Sequence, residues 1–168
     1  FGKNLIEGIL KIAIFIGYTA LTALTKDIRR TYEYHGAEHK TIACYEHEEE
    51  LTVENVKKYT RFHPRCGTSF IFLVLFISIF VNTIFRVSWA SILLRVVIKI
   101  ALLPIVTGIA YELIRLAGKY DNIFTKIISA PGLWIQRITT SEPDESQIEC
   151  AIAALKACIP ENKEDDKW

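Results

Sequence analysis

The sequence contains no methionine, no glycine-rich phosphate loop and no basic stripe interleaved with aromatic residues. Glycine-rich loops bind nucleotide phosphates, and basic stripes with aromatic residues bind nucleic acid. We therefore expect neither a nucleotide nor a nucleic-acid partner. Because it lacks methionine and begins at Phe1, the chain is expected to be a piece of a longer protein, with room for further membrane spans upstream.

The sequence contains several long apolar runs, and hydrophobic residues make up 51% of the chain. Neither residues 70–85 nor residues 100–111 contain a charged side chain. The second run extends back to Ile92 if Arg95 and Lys99 direct their charged ends to a membrane interface. A membrane-spanning helix needs about 20 apolar residues, which both runs approach once their flanks are included. Two buried helices of a soluble protein are the alternative.

A third candidate span, residues 5–24, is weaker because Glu7 and Lys11 interrupt its beginning. Its uninterrupted part, residues 12–24, would cross a bilayer only with tilt or local thinning. It also lacks the small-residue cleavage site of a signal peptide. We therefore interpret it as a first transmembrane or interfacial helix.

Positive charges concentrate in the connection between the first and second candidate spans. The short turn between the second and third spans carries essentially Arg86 and Arg95. Since cytoplasmic loops hold the excess of lysine and arginine, the long connection is predicted to face the cytosol. Its charges are Lys26, Arg29, Arg30, Lys40, Lys57, Lys58, Arg61 and Arg65.

The cytosolic orientation bears on the four cysteines, since cytosolic thiols are kept reduced and disulfides are not expected there. The neighbourhood of Cys66 indicates a thiolate ligand, whereas Cys158 lies on an apolar helical stripe and is predicted to pack in a core. The other two are Cys44 and Cys150.

These patterns predict an all-α, polytopic membrane protein with about three transmembrane helices and a cytosolic helical metal-binding region. The predicted organisation along the chain is a first transmembrane or interfacial helix (1–24), a cytosolic helical loop (25–69), a transmembrane hairpin (70–117), an interfacial amphipathic segment (118–140), and a cytosolic C-terminal helix and tail (141–168).

Within the cytosolic loop, residues 34–45 are predicted to be helical and the acidic residues 46–50 to form a solvated turn. Thr52 is placed to cap a following helix, which Pro64 should end, since the residue before a proline is pushed out of the α region. The amphipathic segment is expected to be broken at Ala130-Pro131-Gly132.

The C-terminal helix is predicted to start after Ser141, with Pro143 at an early helical position and acidic residues in the first turn. Ile148 and Ile152 lie on its apolar face, which should pack on the cytosolic domain or on a partner. The charged tail, residues 161–168, is expected to fray.

The sequence His35-Gly-Ala-Glu38-His39 is the strongest candidate for chemistry. On a helix, positions i, i+3 and i+4 share one face, so all three side chains could point at a single ion. Neutral imidazoles at this spacing bind Zn²⁺, and a neighbouring carboxylate such as Glu38 can act as a general base. The alternative is three polar residues on a solvated helix at a membrane surface.

A second motif, His63-Pro-Arg-Cys66, lies on a loop at the start of the second span. With His35 and His39 it would complete a tetrahedral, structural site. In a catalytic arrangement, His35, His39 and one further ligand, Glu112 or His63, would leave a position for water. Alternatively, Glu112 has a structural role only and forms a salt bridge with Arg115.

Four motifs in order, residues 34–40, 63–69, 111–118 and 131–140, resemble the YqhQ family of bacterial membrane proteins. The resemblance covers almost the whole chain. It implies a multi-pass protein of the bacterial inner membrane with an additional amino-terminal part, and a predicted metal-dependent enzyme. The resemblance does not indicate which substrate such an enzyme would act on.

Three functions follow from these features. The first is a metal-dependent hydrolase at the cytosolic membrane face, with a divalent metal, Zn²⁺ before others, and Glu38 as base. The second is a metal-stabilised membrane scaffold or interaction protein. The third is an oligomeric channel or transporter, since three spans are too few for a pore in one subunit. The expected partners are the lipid bilayer and, for the third function, further copies of the chain.

Overall fold

The computed structural model describes residues 2–84, 91–120 and 122–160, and every regular element in these ranges is a helix. The all-α prediction is therefore confirmed for this part of the chain. The helices are α1 (Gly2–Thr22), α2 (Lys26–Glu46), α3 (Val53–Lys57), α4 (Gly67–Ile84), α5 (Ile92–Lys119), α6 (Ile123–Thr139) and α7 (Glu145–Cys158).

One described helix, α5, is long and apolar enough to cross a membrane by itself. Its apolar side chains are largely exposed, among them Leu93, Ile100 and Leu103. The helix α4 is apolar but shorter, and α1 would count only if it formed one broken span together with α2. The predicted turn between the second and third spans, including Arg86, lies outside the described residues.

The chain divides into two compact units, of which the first contains Phe1–Tyr18 and Pro64–Ile135. In this unit α4 packs against α5. The ring of Phe15 on α1 lies 6.5 Å from that of Phe72 on α4, measured between centroids. Gly8 is similarly close to α4, because a Cβ added there would lie 2.5 Å from Ile79. Apolar contacts therefore join α1 and α4.

The second unit contains Thr19–His63 and Gln136–Trp168. Here α2 packs against α3 and α7, around a small core of buried side chains. Ile148 and Ile152 of α7 are both buried, which confirms the predicted apolar face. A fully buried isoleucine contributes about 1.5–3 kcal/mol. The core residues are Ala37, Cys44, Val56, Ile148 and Ile152.

The helix α7 begins three residues later than the serine and proline signals predict. Asp144, not Ser141, caps it: the Asp144 carboxylate accepts from the Gln147 backbone N–H, and the Gln147 side chain accepts from the Asp144 N–H. Hydrogen bonds from Ser146 and Gln147 lower the pKa of Asp144. Ser141 instead donates its backbone N–H to the Tyr32 carbonyl at 2.9 Å.

Two helix ends differ from the prediction. Thr52 does cap α3 by accepting from the Asn55 N–H, but α3 ends at Lys57, well before Pro64. The intervening segment leaves the helix because its backbone groups bond to α2 and α6, as described below. Conversely, α6 is not broken at Ala130-Pro131-Gly132 but runs through Pro131.

The continuity of α6 has a physical explanation at its beginning. Asn122 and Thr125 cap the helix reciprocally, each backbone N–H donating to the other's side chain at 3.1 and 3.0 Å. Gln136 makes further hydrogen bonds at the other end of α6. Together, the contacts at the two ends offset the backbone hydrogen bond that Pro131 cannot donate. The prediction for Cys158 is also wrong, since it is the exposed last residue of α7. The predicted fraying tail, residues 161–168, lies outside the described residues.

Gly36 allows the connection between α6 and α7 to lie against α2. A Cβ added at Gly36 would stand 2.1 Å from the Ser141 carbonyl oxygen. We expect Gly36→Ala to destabilise the protein by about 2–3 kcal/mol, because backbone must move to relieve the clash. Thermal unfolding followed by circular dichroism measures the change.

Gly17→Ala is the matched control, because a Cβ at Gly17 meets nothing within 4 Å. As a helical glycine replaced by alanine, it should gain about 0.5–1 kcal/mol. Equal melting temperatures for the two variants would contradict the proposed clash.

Candidate metal centre

His35 and His39 lie on successive turns of α2, as their spacing predicts. His39 is buried, and His35 is partly buried. Their ring centroids are 4.3 Å apart, and one ligand nitrogen of each ring lies within 4.8 Å of the other. Two nitrogens bound to one tetrahedral Zn²⁺ are roughly 3.4 Å apart. Small rotations of the rings would therefore bring both nitrogens onto one ion.

Both histidines are oriented by backbone carbonyls from distant parts of the chain. His35 Nδ1 lies 2.9 Å from the Thr139 carbonyl oxygen, and His39 Nδ1 lies 2.7 Å from that of Arg61. Since a carbonyl only accepts, each Nδ1 carries the hydrogen, and in the neutral ring Nε2 carries the lone pair. Metal-binding histidines have this same arrangement.

His47 shows that such a bond is not by itself diagnostic. Its Nδ1 donates to the Ala43 carbonyl at 2.7 Å, a bond to its own helix four residues earlier, and the residue is exposed. His35 and His39, in contrast, are partly buried and buried, and their carbonyl partners come from separate segments. This difference makes His47 a suitable reference histidine.

His63 is held through its backbone by the side chain of Gln136. The Gln136 Oε1 accepts from the His63 N–H at 2.8 Å, and its Nε2 donates to the His63 carbonyl at 2.7 Å. Gln136 is 0% exposed. One side-chain amide therefore satisfies both backbone polar groups of His63 and holds this residue against the last turn of α6.

The His63 ring lies beside His39, with a centroid separation of 5.7 Å. Its Nε2 is 3.2 Å from a carboxylate oxygen of Glu46, on the same helix as the first two histidines. A carboxylate that contacts the far nitrogen of a histidine fixes the orientation of its ring. The second unit thus gathers three histidines, one of them paired with an acid.

Arg61 supports the segment that carries the His39 acceptor. Its guanidinium donates to the Thr140 carbonyl and, at 2.8 Å, to the Thr140 hydroxyl. It also lies 3.5 Å from the Glu142 carboxylate, which forms a second ion pair with the buried Lys40 at 2.9 Å. These contacts connect α2 and the segment before α4 to the α6–α7 connection.

Cys66 belongs to the first unit, immediately before α4. It is buried, its Sγ lies 3.0 Å from the Thr68 hydroxyl, and its carbonyl accepts from the Phe70 N–H. Three Cα–Cα steps separate it from His63, a distance of at most about 11 Å. Covalent connection alone therefore keeps this thiol near His63.

Cys44 is also buried, but burial raises the pKa of its thiol. A metal ligand must be a thiolate, which a raised pKa disfavours. Cys44 lies in the core with Ala37 and Val56. We therefore assign it to packing.

The two predicted acidic site residues are both exposed. Glu38 lies on α2 next to the buried His39. Glu112 lies on α5, and its carboxylate is 3.5 Å from the Arg115 guanidinium. This distance agrees with the predicted salt bridge between the two residues. Such an exposed pair contributes little to stability. The ligand role of Glu112 stays a prediction, and so does the general-base role of Glu38.

The sequence reasoning missed the residues that orient the histidines. Glu46 was assigned to the solvated turn, although its position seven residues after His39 places it on the same helical face. Gln136 and the Thr139 carbonyl carry no sequence signal, because a backbone acceptor is the same in every residue type. Together they show that the cluster is built from three separate segments.

Sequence comparisons identify the family of this chain. The family described as "Protein of unknown function (DUF1385)" matches residues 1–161, and the chain belongs to it. The chain is also similar to "Uncharacterized protein YqhQ" of Bacillus subtilis (strain 168), with 42% identity over 155 residues. The resemblance to the YqhQ family is thus confirmed.

The match covers 92% of this chain and 48% of the Bacillus subtilis protein, so the chain spans about half of that relative's length. No solved structure matches the chain. The arrangement of the histidines therefore has to be interpreted from its own contacts.

Removal of the Gln136 amide should loosen residue 63 and its neighbours. Gln136→Ala leaves two buried backbone groups of His63 without their partner, which should cost about 2–4 kcal/mol. In hydrogen exchange followed by mass spectrometry, amides of residues 60–63 should exchange faster. Asn55→Ala is the control, since its side chain also bonds a carbonyl, that of Glu50 at 3.0 Å, but is exposed to water. Unchanged exchange in Gln136→Ala would contradict the role assigned to this amide.

Proposed function

We propose that the protein is a membrane-embedded, metal-dependent hydrolase that acts at the cytosolic membrane face. A divalent metal, Zn²⁺ before others, would be held by Nε2 of His35, Nε2 of His39 and the thiolate of Cys66. The observation that carries the proposal is the pair of backbone carbonyls on the two Nδ1 atoms. They favour the tautomer and the orientation that a metal requires before any metal binds.

Three protein ligands suit a catalytic site better than a structural one. Catalytic zinc sites use three protein ligands and leave the fourth position for water, whose pKa the metal lowers. In the proposal His63 is a positioning residue, since its Nε2 already meets the Glu46 carboxylate. Glu38 is exposed, so it can exchange protons with solvent and substrate as a general base.

A structural metal is the second candidate, and one observation favours it. The His63 ring lies 5.7 Å from the His39 ring, between centroids, so its Nδ1 could supply a fourth ligand. Four protein ligands would close the site and make the chain a metal-stabilised scaffold. The channel or transporter function is less well supported, because the ion pair with Arg115 accounts for Glu112.

The membrane part of the proposal is supported by α5 and its exposed apolar side chains. Monomeric soluble proteins rarely expose apolar patches of this extent. We propose that α1 and α4 join α5 as spans in the bacterial inner membrane, with α2, α3 and α7 in the cytosol. This orientation follows from the lysine and arginine excess of the long connection.

Metal content tests the ligand set. Purified wild-type protein should contain close to one equivalent of zinc, whereas His39→Ala and Cys66→Ser should retain less than about a tenth of an equivalent. His47→Ala should keep the wild-type content, because the His47 Nδ1 bonds to the Ala43 carbonyl and its ring lies against Tyr59. Plasma mass spectrometry of matched preparations measures all four. Wild-type protein without zinc, iron or manganese would exclude both metal functions.

Glu38→Gln separates the enzyme from the scaffold. A hydrolase should keep its metal and lose about 100-fold or more in rate on a panel of fluorogenic ester, phosphoester and amide substrates. Glu54→Gln, another exposed glutamate of the second unit, should match the wild type in both measurements. Unchanged rates with full metal content in Glu38→Gln would favour the structural site.

A further inference from the structure

The helix α6 exposes apolar side chains and buries polar ones, which is the reverse of a helix on a water-facing surface. Ile127 is 66% exposed, whereas Thr125, two positions earlier, is only 5% exposed. Ile123 and Trp134 are also exposed, and Gln136 is buried. Apolar surface of this kind is stable when a medium less polar than water covers it. The exposed face of α6 therefore indicates a binding surface.

The exposed apolar residues form a stripe along one side of the helix. At 3.6 residues per turn, Ile127 and Trp134 lie within about 40° of Ile123 around the helix axis. Phe124, also exposed, lies about 100° from Ile123 and widens the stripe. Thr125 lies about 200° from Ile123, on the opposite side. The apolar stripe, Ile123, Phe124, Ile127 and Trp134, thus extends over about three turns, roughly 17 Å.

Two cations border the apolar stripe on one side. Lys126 and Arg137 are exposed, and their separation of eleven positions places them within about 20° of each other around the axis. Both can therefore reach headgroups when the helix lies flat in a membrane interface. If α6 crossed the bilayer, at least one of them would lie in the hydrocarbon, because they are only roughly 17 Å apart. The charges thus favour a helix parallel to the membrane surface.

The other side of the stripe adjoins further apolar surface of the first unit. Ile127 and Pro131 line a cleft against α4 and α5, together with Phe76 and Leu113. Pro131 lies about 80° from Ile123 around the axis, in the direction opposite to the two cations. Apolar surface therefore continues from α6 towards α5, the helix that is long and apolar enough to cross a membrane. A bilayer matches this order, with hydrocarbon on the side of α5 and headgroups on the side of the cations.

We propose that α6 lies flat in the interface of the bilayer, with its apolar stripe towards the hydrocarbon and with Lys126 and Arg137 towards the phosphates of the headgroups. Interfacial helices bury their apolar face about 5–10 Å into the boundary between headgroups and acyl chains. Tryptophan is enriched at this depth, which suits Trp134. The inference rests on the membrane location in the proposed function and not on the metal.

Quenching of Trp134 fluorescence by brominated lipids measures the depth of α6. The full chain, with Trp89 and Trp168 replaced by phenylalanine, is reconstituted into nanodiscs of phosphatidylcholine and phosphatidylglycerol. Bromine near the headgroup end of the acyl chains should quench Trp134 at least about twofold more than bromine near the chain ends, because the stripe lies at the headgroup boundary. Stronger quenching by the deep bromine would overturn the proposal.

A tryptophan on α5 is the reference for a spanning helix. Ile105 is exposed in the middle of α5, and Ile105→Trp is combined with Trp134→Phe in the same background. Its quenching should have the opposite order, with the deep bromine more effective. If Ile105→Trp is quenched and Trp134 is not, the inference fails and the membrane location stands. A protein that covers the stripe would give this result. If neither is quenched, the membrane location fails as well.

Labelling of two neighbouring positions tests the orientation of the helix. Cys150 and Cys158, which are exposed, are first replaced by serine. In nanodiscs, a membrane-impermeant maleimide should then label Lys126→Cys about tenfold faster than Ile127→Cys, since only the first position faces headgroups and water. Equal rates would contradict the proposed orientation. Neither experiment measures metal content, so a protein without metal leaves the inference standing.

Discussion

The geometry of the histidine cluster depends on the two hydrogen bonds between the Gln136 amide and the backbone of His63. They hold residue 63 against the last turn of α6, two residues after the Arg61 carbonyl that meets His39. The same end of α6 offers the Thr139 carbonyl to His35. Backbone carbonyls are less free to move than side chains, so rings oriented by them are restrained before any ligand arrives.

Two ion pairs to one carboxylate also connect these segments. Glu142 meets both Lys40 and Arg61, and the Lys40 side chain is only 9% exposed. The Glu142 side chain is 66% exposed, so water screens both ion pairs and each contributes modestly to stability. Lys40 and Arg61 belong to the positively charged connection from which the cytosolic orientation is predicted. The two residues therefore also hold that connection in place.

The sequence predicted the parts of the structure that are local in the chain. The helical face of His35 and His39, the Thr52 cap and the apolar helices α4 and α5 follow from residue spacing alone. The start of α7 could have been predicted better, since Gln147 stands three residues after Asp144 and completes a capping box. The helical course through Pro131 could not, because it depends on contacts at both ends of α6.

The orientation of the histidines was beyond sequence reasoning for a different reason. Its acceptors are main-chain carbonyls at residues 61 and 139, brought to α2 by folding and identical in chemistry to every other carbonyl. Glu46 is the exception, since its helical spacing from His39 places both on one face. Residue type indicates which groups can bind a metal, and tertiary contacts determine which nitrogen they present.

The sequence His35-Gly-Ala-Glu38-His39 has the pattern HxxEH. In this chain its second position must be glycine for a reason that is unrelated to metal chemistry. The second position of the motif is where the α6–α7 connection crosses α2, and the Ser141 carbonyl occupies the space of a side chain. A protein with both histidines and the glutamate but a larger residue at this position could not bring that connection so close. Its first histidine would then lack the carbonyl that selects Nε2, so the glycine distinguishes this kind of site from other HxxEH helices.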